Sequence, residues 1–242
     1  NNPLSKDLLS MLDNIRTGKN LDETLFFLNN KCFDPNFNSN NSEMRLTATN
    51  RQAEIINENF LKDLPGSAKT FQSKVKGIFR TEKNLPAPNE LSLKIGAQVI
   101  MTKNNKKFWF NGTVGKIVKF NENSITVKIG NHNYGVTKTT WDRIRYKYNK
   151  ETKEIEEEVL GTFEQYPMRL GWAVTIHKSQ GLTLNSAHID LGKNAFASGQ
   201  TYVALSRCKT LDGIKLARPL RKSDIIINPM IEEFYEDFYL QT

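Results

Sequence analysis

Two short stretches carry the residue types that could do chemistry. The first is Thr175-Ile176-His177-Lys178-Ser179-Gln180-Gly181-Leu182-Thr183, a polar, basic and glycine-containing run between apolar strings. A segment that holds a phosphate backbone on one side and senses a nucleotide on the other needs this mix. A loop ending in a helix cap would use the same residues. The second stretch is Gly199-Gln200-Thr201-Tyr202-Val203-Ala204-Leu205-Ser206-Arg207-Cys208. A fixed guanidinium such as that of Arg207 offsets the charge that develops on phosphoryl oxygens during transfer. An arginine at a helix end also pairs with a surface carboxylate or with the helix end itself. The three histidines and two cysteines are not at ligand spacing, which argues against a structural zinc site, so no metal ligands are assigned. Cys32 and Cys208 lie far apart, so a secreted disulfide framework is not expected and a reducing, cytoplasmic compartment is. His132 is expected in a turn and His188 in a strand, both structural.

The chain of 242 residues has a net charge of +8, and the position of that charge matters more than its size. Residues 101–150 hold eleven lysines and arginines against Glu122 and Asp142, a block of +9 that leaves −1 for the rest. Phe108, Trp109, Phe110, Tyr134, Trp141, Tyr146 and Tyr148 interleave with it. Lysines such as Lys107 that neutralise phosphates, and rings such as Trp109 that stack on bases, are the footprint of single-stranded nucleic acid. A basic, solvated β-surface over an aromatic core has the same composition. Trp109, Phe110, Trp141 and Tyr146 divide between those roles in a way that sequence does not sort. No run of 18 or more apolar residues exists, so no membrane span is expected. The N-terminus has no apolar signal core, and its lack of a Met hints at a fragment.

Around these stretches the elements alternate. Leu8, Leu9, Leu12 and Ile15 mark a helix over Ser5–Arg16, with Ser5 as its cap and Gly18 as its end. A short helix at Asp22–Asn30 and an Asn-, Ser- and Pro-rich loop at Asn29–Asn41 follow. Glu43–Thr49 reads as a strand, and Asn50 as the cap of a helix from Arg51 to Leu61. Lys83–Glu90, with Pro86 and Pro88, reads as a loop. Gln98–Lys103, Gly115–Phe120, Ser124–Ile129 and Tyr134–Thr139 alternate as strands, and Glu154–Phe163 completes a small barrel. The acidic Glu151–Glu158 reads as a solvated strand edge. Residues 168–177 fit a strand and a helix equally. Ala187–Leu191 and Ile214–Leu216 read as strands, Gly199–Arg207 as a helix and Pro229–Tyr239 as a closing amphipathic helix. The pattern is an α/β domain interrupted by a β insert.

The two chemical stretches closely resemble motifs V and VI of the superfamily 1B helicases. Thr49-Asn50-Arg51 resembles the motif IV region. Leu85-Pro86-Ala87-Pro88, Ile95-Gly96-Ala97-Gln98-Val99-Ile100-Met101 and Phe110-Asn111-Gly112-Thr113-Val114-Gly115 match the lead into that family's β insert. Together they cover most of residues 44–226 in the family's order, so the chain resembles the C-terminal half of a Pif/RecD-like DNA helicase. The resemblance implies a RecA-like, P-loop-NTPase-type second motor domain with a Src-homology-3-like barrel inserted. Its expected organisation is the end of the first RecA-like domain and a connection at 1–43, the second domain at 44–104 and 165–242, and the barrel at 105–164.

By the same resemblance Arg207 is the arginine finger, the catalytic residue. Ser179, Gln180, Gly181 and Gln200 face the nucleotide. Thr49, Asn50, Thr175, His177 and Lys178 touch single-stranded DNA, with Trp109 and Lys107 joining from the insert. Tyr202 is expected in the core, and Cys208 buried and inert. The family's Walker A and B motifs lie upstream. Pro65-Gly66-Ser67-Ala68-Lys69-Thr70 lacks a glycine before Lys69 and reads as a turn. Thr17-Gly18-Lys19-Asn20 has Asp13 where the first glycine belongs. ATP and Mg2+ are therefore expected to bind mainly to an upstream RecA-like domain of the same protein. The chain by itself is expected to be inactive, and the protein monomeric and off the membrane. A stand-alone nucleic-acid-binding module with no ATPase activity is the alternative. The family's 5′-to-3′ polarity is not visible in any residue.

Overall fold

The computed structural model describes residues 6–36, 43–79, 85–105, 107–148 and 153–227. Helix α1 (Lys6–Thr17) buries Leu8, Leu12 and Ile15, the spacing of one helical stripe, and ends at Gly18 with φ +73°. Helix α2 (Leu21–Cys32) outruns its expected end at Asn30 because Cys32 continues the buried stripe of Leu25 and Leu28. The rest of the expected loop, from 37 onward, lies outside the described residues. Strand β1 (Met44–Thr47) leads to helix α3 (Asn50–Asp63). The Thr49 hydroxyl accepts the Gln52 N–H at 3.3 Å, so Thr49 caps α3 and the cap expected at Asn50 is one residue off.

Residues 59–171 form one compact unit. Its strands are β2 (Lys69–Gln72), β3 (Lys74–Gly77), β4 (Glu90–Leu93), β5 (Gln98–Met101), β6 (Val114–Phe120) and β7 (Ile125–Ile129). They continue with β8 (His132–Val136), β9 (Thr139–Tyr148), β10 (Ile155–Gln165) and β11 (Met168–Leu170). They join as an antiparallel sheet of order β11-β5-β6-β7-β8, a ribbon β3-β10-β9 and a pair β2-β4. This unit is wider than residues 105–164, because β5 and β11 hydrogen-bond into the same sheet as β6. Residues read as turn or loop at Lys69–Thr70 and at Glu90 belong to strands, and His132 opens β8. Alternation puts Ile117, Ile125, Val127 and Val136 inside and Lys116, Lys119 and Lys128 outside. Phe163 is fully buried, with Phe79 and Trp141 packed on it.

The other unit comprises residues 1–58 and 172–242. It adds β12 (Ala173–Thr175), β13 (Ala187–Asp190), α4 (Gln200–Leu205) and β14 (Ile214–Leu216). The sheet order is β12-β1-β13-β14, every pair parallel. The stretch that fitted strand and helix equally is two short strands, β11 and β12, each held by a sheet partner. The Asn57 side chain bonds the chain where it returns: Oδ1 accepts the N–H groups of Trp172 (3.0 Å) and Ala173 (2.9 Å), and Nδ2 donates to the Ala173 carbonyl (2.8 Å). Helix α1 packs on α4, and α2 on β14. The fold is thus an α/β domain with a parallel sheet interrupted by a β insert, the architecture that the resemblance implied. In such sheets the loops that leave the carboxyl ends of the strands build the binding crevice. The expected closing helix at Pro229–Tyr239 lies outside the described residues.

Candidate functional site

Strand β12 runs directly into a 3-10 turn, His177–Ser179. The turn is held from inside. The Ser179 hydroxyl donates to the Ile176 carbonyl at 2.7 Å, and the Thr175 hydroxyl accepts the Lys178 N–H at 3.3 Å. Both side chains are buried, so Thr175 and Ser179, expected at DNA and nucleotide, shape the loop from within. His177, Lys178, Gln180 and Gly181 are exposed. Gly181 has φ +83°, and nothing lies within 4 Å of where a Cβ would stand. Glycine is needed there for the backbone conformation, and the peptide is left open to a ligand.

Helix α4 ends at Leu205, two residues short of expectation, and Arg207 lies just past its cap residue Ser206. The guanidinium folds back, Nε donating to the Val203 carbonyl at 2.9 Å and one terminal nitrogen to the Ser206 hydroxyl at 2.8 Å. The other terminal nitrogen donates to the carbonyls of Leu182 (3.2 Å) and Ser179 (3.5 Å). The Leu184 N–H donates to the Arg207 carbonyl at 2.8 Å, closing the same junction. The helix-end role thus exists here through Val203, but no carboxylate pairs with Arg207 among the described residues. Burial lowers its pKa, partly offset by Tyr202 and Cys208, and a guanidinium so placed stays charged. Gln200 uses Oε1 to accept the Phe196 N–H at 3.0 Å, which fixes the loop before α4. Tyr202 is half-buried, beside Ile15 and Ile225 in an apolar cavity of about 150 Å³.

Thr49 and Asn50 are exposed where β1 passes into α3, and the Thr47 hydroxyl donates to the Thr49 carbonyl at 3.1 Å. Beside them lies a cavity of about 610 Å³ whose lining includes Arg45, Thr49, Arg51, Gln52, Asp190 and Arg218. Sequence reasoning missed Arg45 and Arg218. They sit in unrelated stretches, and only the sheet brings β1, β13 and β14 side by side. Within the insert Lys107 is exposed, but Trp109 is 7% exposed and its indole N–H donates to the Lys103 carbonyl at 3.2 Å. Its ring packs with Tyr134, so the expectation that it stacks on bases is corrected. The exposed rings of that loop are Phe108 and Phe110.

A second group went unread. Asp224, 1% exposed, accepts both terminal nitrogens of Arg218 (2.7 and 2.8 Å) and the N–H groups of Arg221 (2.8 Å) and Ala195 (3.1 Å). Burial pushes its pKa up, but these bonds and the Arg218 charge outweigh that and hold it below the usual carboxylate range. No acidic motif announced it. Cys32 and Cys208 are both buried, and burial pushes their thiols up to about 11 and about 12. Among the described residues, no three His, Cys, Asp or Glu side chains gather as a metal site, and no helix is long and apolar enough to cross a membrane.

No family model matches the chain. It is 32% identical over 236 residues to the ATP-dependent DNA helicase Pif1 of Bdellovibrio bacteriovorus, covering 95% of this chain and 51% of that protein. To the Xenopus laevis ATP-dependent DNA helicase PIF1 it is 29% identical, covering 95% of this chain and 36% of that protein. Unliganded Pif1 from Bacteroides sp. superposes with a TM-score of 0.85 at 30% identity, over 98% of this chain and 55% of that one. The same helicase bound to ssDNA superposes at 0.74, over 99% and 55%. The chain thus spans about half the length, or less, of the relatives it matches. Over that span the chain is similar to the C-terminal half of the Pif1 helicases, in sequence and in fold.

Proposed function

We propose that the chain is the C-terminal motor half of an ATP-dependent DNA helicase that translocates 5′-to-3′ on single-stranded DNA, with Arg207 as its arginine finger. The observation that carries this reading is the contact of Arg207 with the carbonyls of Ser179 and Leu182, which folds the two helicase-like stretches into one site. Relatives carry the name ATP-dependent DNA helicase, and the similar Bacteroides structures include complexes with ADP-AlF4 and with ssDNA.

ATP and Mg2+ bind mainly to the upstream RecA-like domain, this chain's partner within the protein. What this chain offers the nucleotide fits: a cation, the amide of Gln200, exposed Gln180 and the open backbone at Gly181. Among the described residues Arg207 bonds neutral oxygens and pairs with no carboxylate. Its two longest bonds, 3.2 and 3.5 Å, are readily exchanged for a shorter, charge-assisted bond to a phosphoryl oxygen. As charge develops on the transferred phosphoryl group, that bond strengthens. His177 and Lys178, exposed in the same turn, and Thr49 and Asn50 at the head of α3 contact the DNA backbone. Thr175 and Ser179 serve by holding the loop. Lys107 of the insert adds a phosphate contact. The protein works as a monomer in a reducing cytoplasm, as its two buried free thiols allow.

In the intact helicase, Arg207→Ala lowers kcat of ATP hydrolysis by roughly a thousandfold or more and leaves nucleotide affinity nearly unchanged. Steady-state ATPase and nucleotide titrations measure both. A kcat within tenfold of wild type removes Arg207 from the finger role.

A further inference from the structure

Helix α4 has only six residues, too few to be stable unaided, and its start at Gly199 carries no side-chain cap. Something else must fix its direction. Gly199 donates its N–H to the Ile226 carbonyl at 2.9 Å, and the Ser198 hydroxyl donates to the same oxygen at 3.2 Å. In the first turn the Thr201 hydroxyl, 3% exposed, donates to the Asp224 carbonyl at 2.5 Å. The Asp224 carboxylate meanwhile takes the Ala195 N–H from the loop before α4. It also takes Arg218, just after β14, in a two-toothed pair. Arg218 spends its remaining donors on the carbonyls of Gly192 (2.7 Å), Lys193 (3.0 Å) and Pro219 (2.9 Å). Asp224 thus joins three places: its carboxylate and Arg218 bind the exit of β14 and the loop after β13, and its main-chain carbonyl binds the first turn of α4.

We propose that Asp224, with Arg218 and Thr201, positions Arg207: the cluster fixes the start of α4 against the sheet, so that Arg207, two residues past the end of the helix, lies on the Ser179–Leu182 loop. The cluster touches neither nucleotide nor DNA and acts only through the helix. The inference rests on Arg207 acting as the finger. A finger moved by a fraction of an ångström loses transition-state contact before the ground-state complex is disturbed. The signature is therefore a fall in kcat without a matching change in affinity.

The test uses the intact helicase with T201V, which keeps the shape of Thr201 and removes the hydroxyl, and T201S, which restores it. Thermal melts set an assay temperature at which every variant is folded. T201V should lower kcat for ATP roughly ten- to a hundredfold, with KM and single-stranded DNA affinity within about threefold of wild type. T201S should return kcat to within about twofold. Combined with R207A, T201V should lower kcat no further, since a finger that is absent cannot be misplaced. D224N, which keeps an acceptor for Ala195 and removes the charge paired with Arg218, repeats the comparison should T201V not fold. Three results overturn the proposal: wild-type kcat in T201V, equal losses in kcat and affinity, or an additive effect on top of R207A. If R207A itself is fully active the finger reading falls and takes this one with it. If R207A is inactive and T201V normal, only the positioning role falls.

Discussion

Within five residues, Thr175 to Ser179, the chain alternates between holding itself and facing outward. Thr175 and Ser179 are buried and bonded to the turn, whereas His177 and Lys178 are exposed. The sequence stated which chemistry the stretch could hold but not which side chains face out, because a 3-10 turn has no long periodicity to read. Trp109 failed for a related reason: an aromatic beside lysines reads as a stacking ring, and only its neighbours show it to be core. For His177 the exposure has a consequence. His177→Ala in the intact helicase should reduce the stimulation of ATPase by single-stranded DNA more than basal hydrolysis, because Arg207 remains while a contact that reports DNA is lost. One neutral hydrogen bond is worth about 0.5–1.5 kcal/mol, so a larger loss of stimulation is coupling. Basal and DNA-saturated rates for both proteins decide it. Equal proportional losses would assign His177 to the fold.

Among the elements, α1 to α4 and the strands β1, β5 to β8, β10, β13 and β14 were readable from apolar spacing. Strands β2 and β3 were not, and β4 was missed because Pro86 and Pro88 read as a loop through Glu90, although Leu91 and Leu93 alternate and are buried. Lys69–Gln72 and Lys74–Gly77 are almost wholly exposed and carry no apolar alternation, so tertiary pairing alone makes them strands. Helix α3 offers a direct check on its reassigned cap. Thr49→Ala should destabilise the domain by about 1 kcal/mol, with Asn50→Ala nearly neutral, in urea unfolding. The reverse order would return the cap to Asn50. The segment after β14 makes a pH prediction. The folded pKa of Asp224 lies below its unfolded value of about 3.9, so its contribution is fully present above roughly pH 5. It is lost as the pH falls through about 4 towards the folded value. Asp224→Asn should cost about 1.5–3 kcal/mol at neutral pH by removing the charge that pairs with the half-buried Arg218. The gap from wild type should narrow on acidification to pH 3, as urea melts across that range would show. A constant gap would mean that the carboxylate is not ionised in the fold.

On the scale of the molecule, the excess of positive charge sits on the β insert. Strand pairing places Lys116 directly opposite Lys128, with Lys119 beside Thr126, an arrangement that repels itself until a polyanion neutralises it. Other cations of the block are engaged locally. Arg145 pairs with Glu158, and Lys103 bonds Thr139 and lies over the Trp141 ring. If Lys107, Lys116, Lys119 and Lys128 each displace one counterion, the chain's affinity for single-stranded DNA should fall with log[salt] at a slope of about −3. Anisotropy of a labelled oligonucleotide across a salt series measures it. A flat response would leave the basic block as mere solvated surface.

The three bonds of Asn57 to Trp172 and Ala173 bear on how the chain reaches this structure. Strands β1 and β12 are sheet neighbours, yet the whole insert is synthesised between them. Bringing such distant partners together from an unfolded chain is slow, because the entropy of closing the loop falls due before any contact offsets it. An insert that collapses first shortens that loop to the gap between its own two ends. On that order of events Asn57 captures a strand already near it, and β12 should join the parallel sheet late.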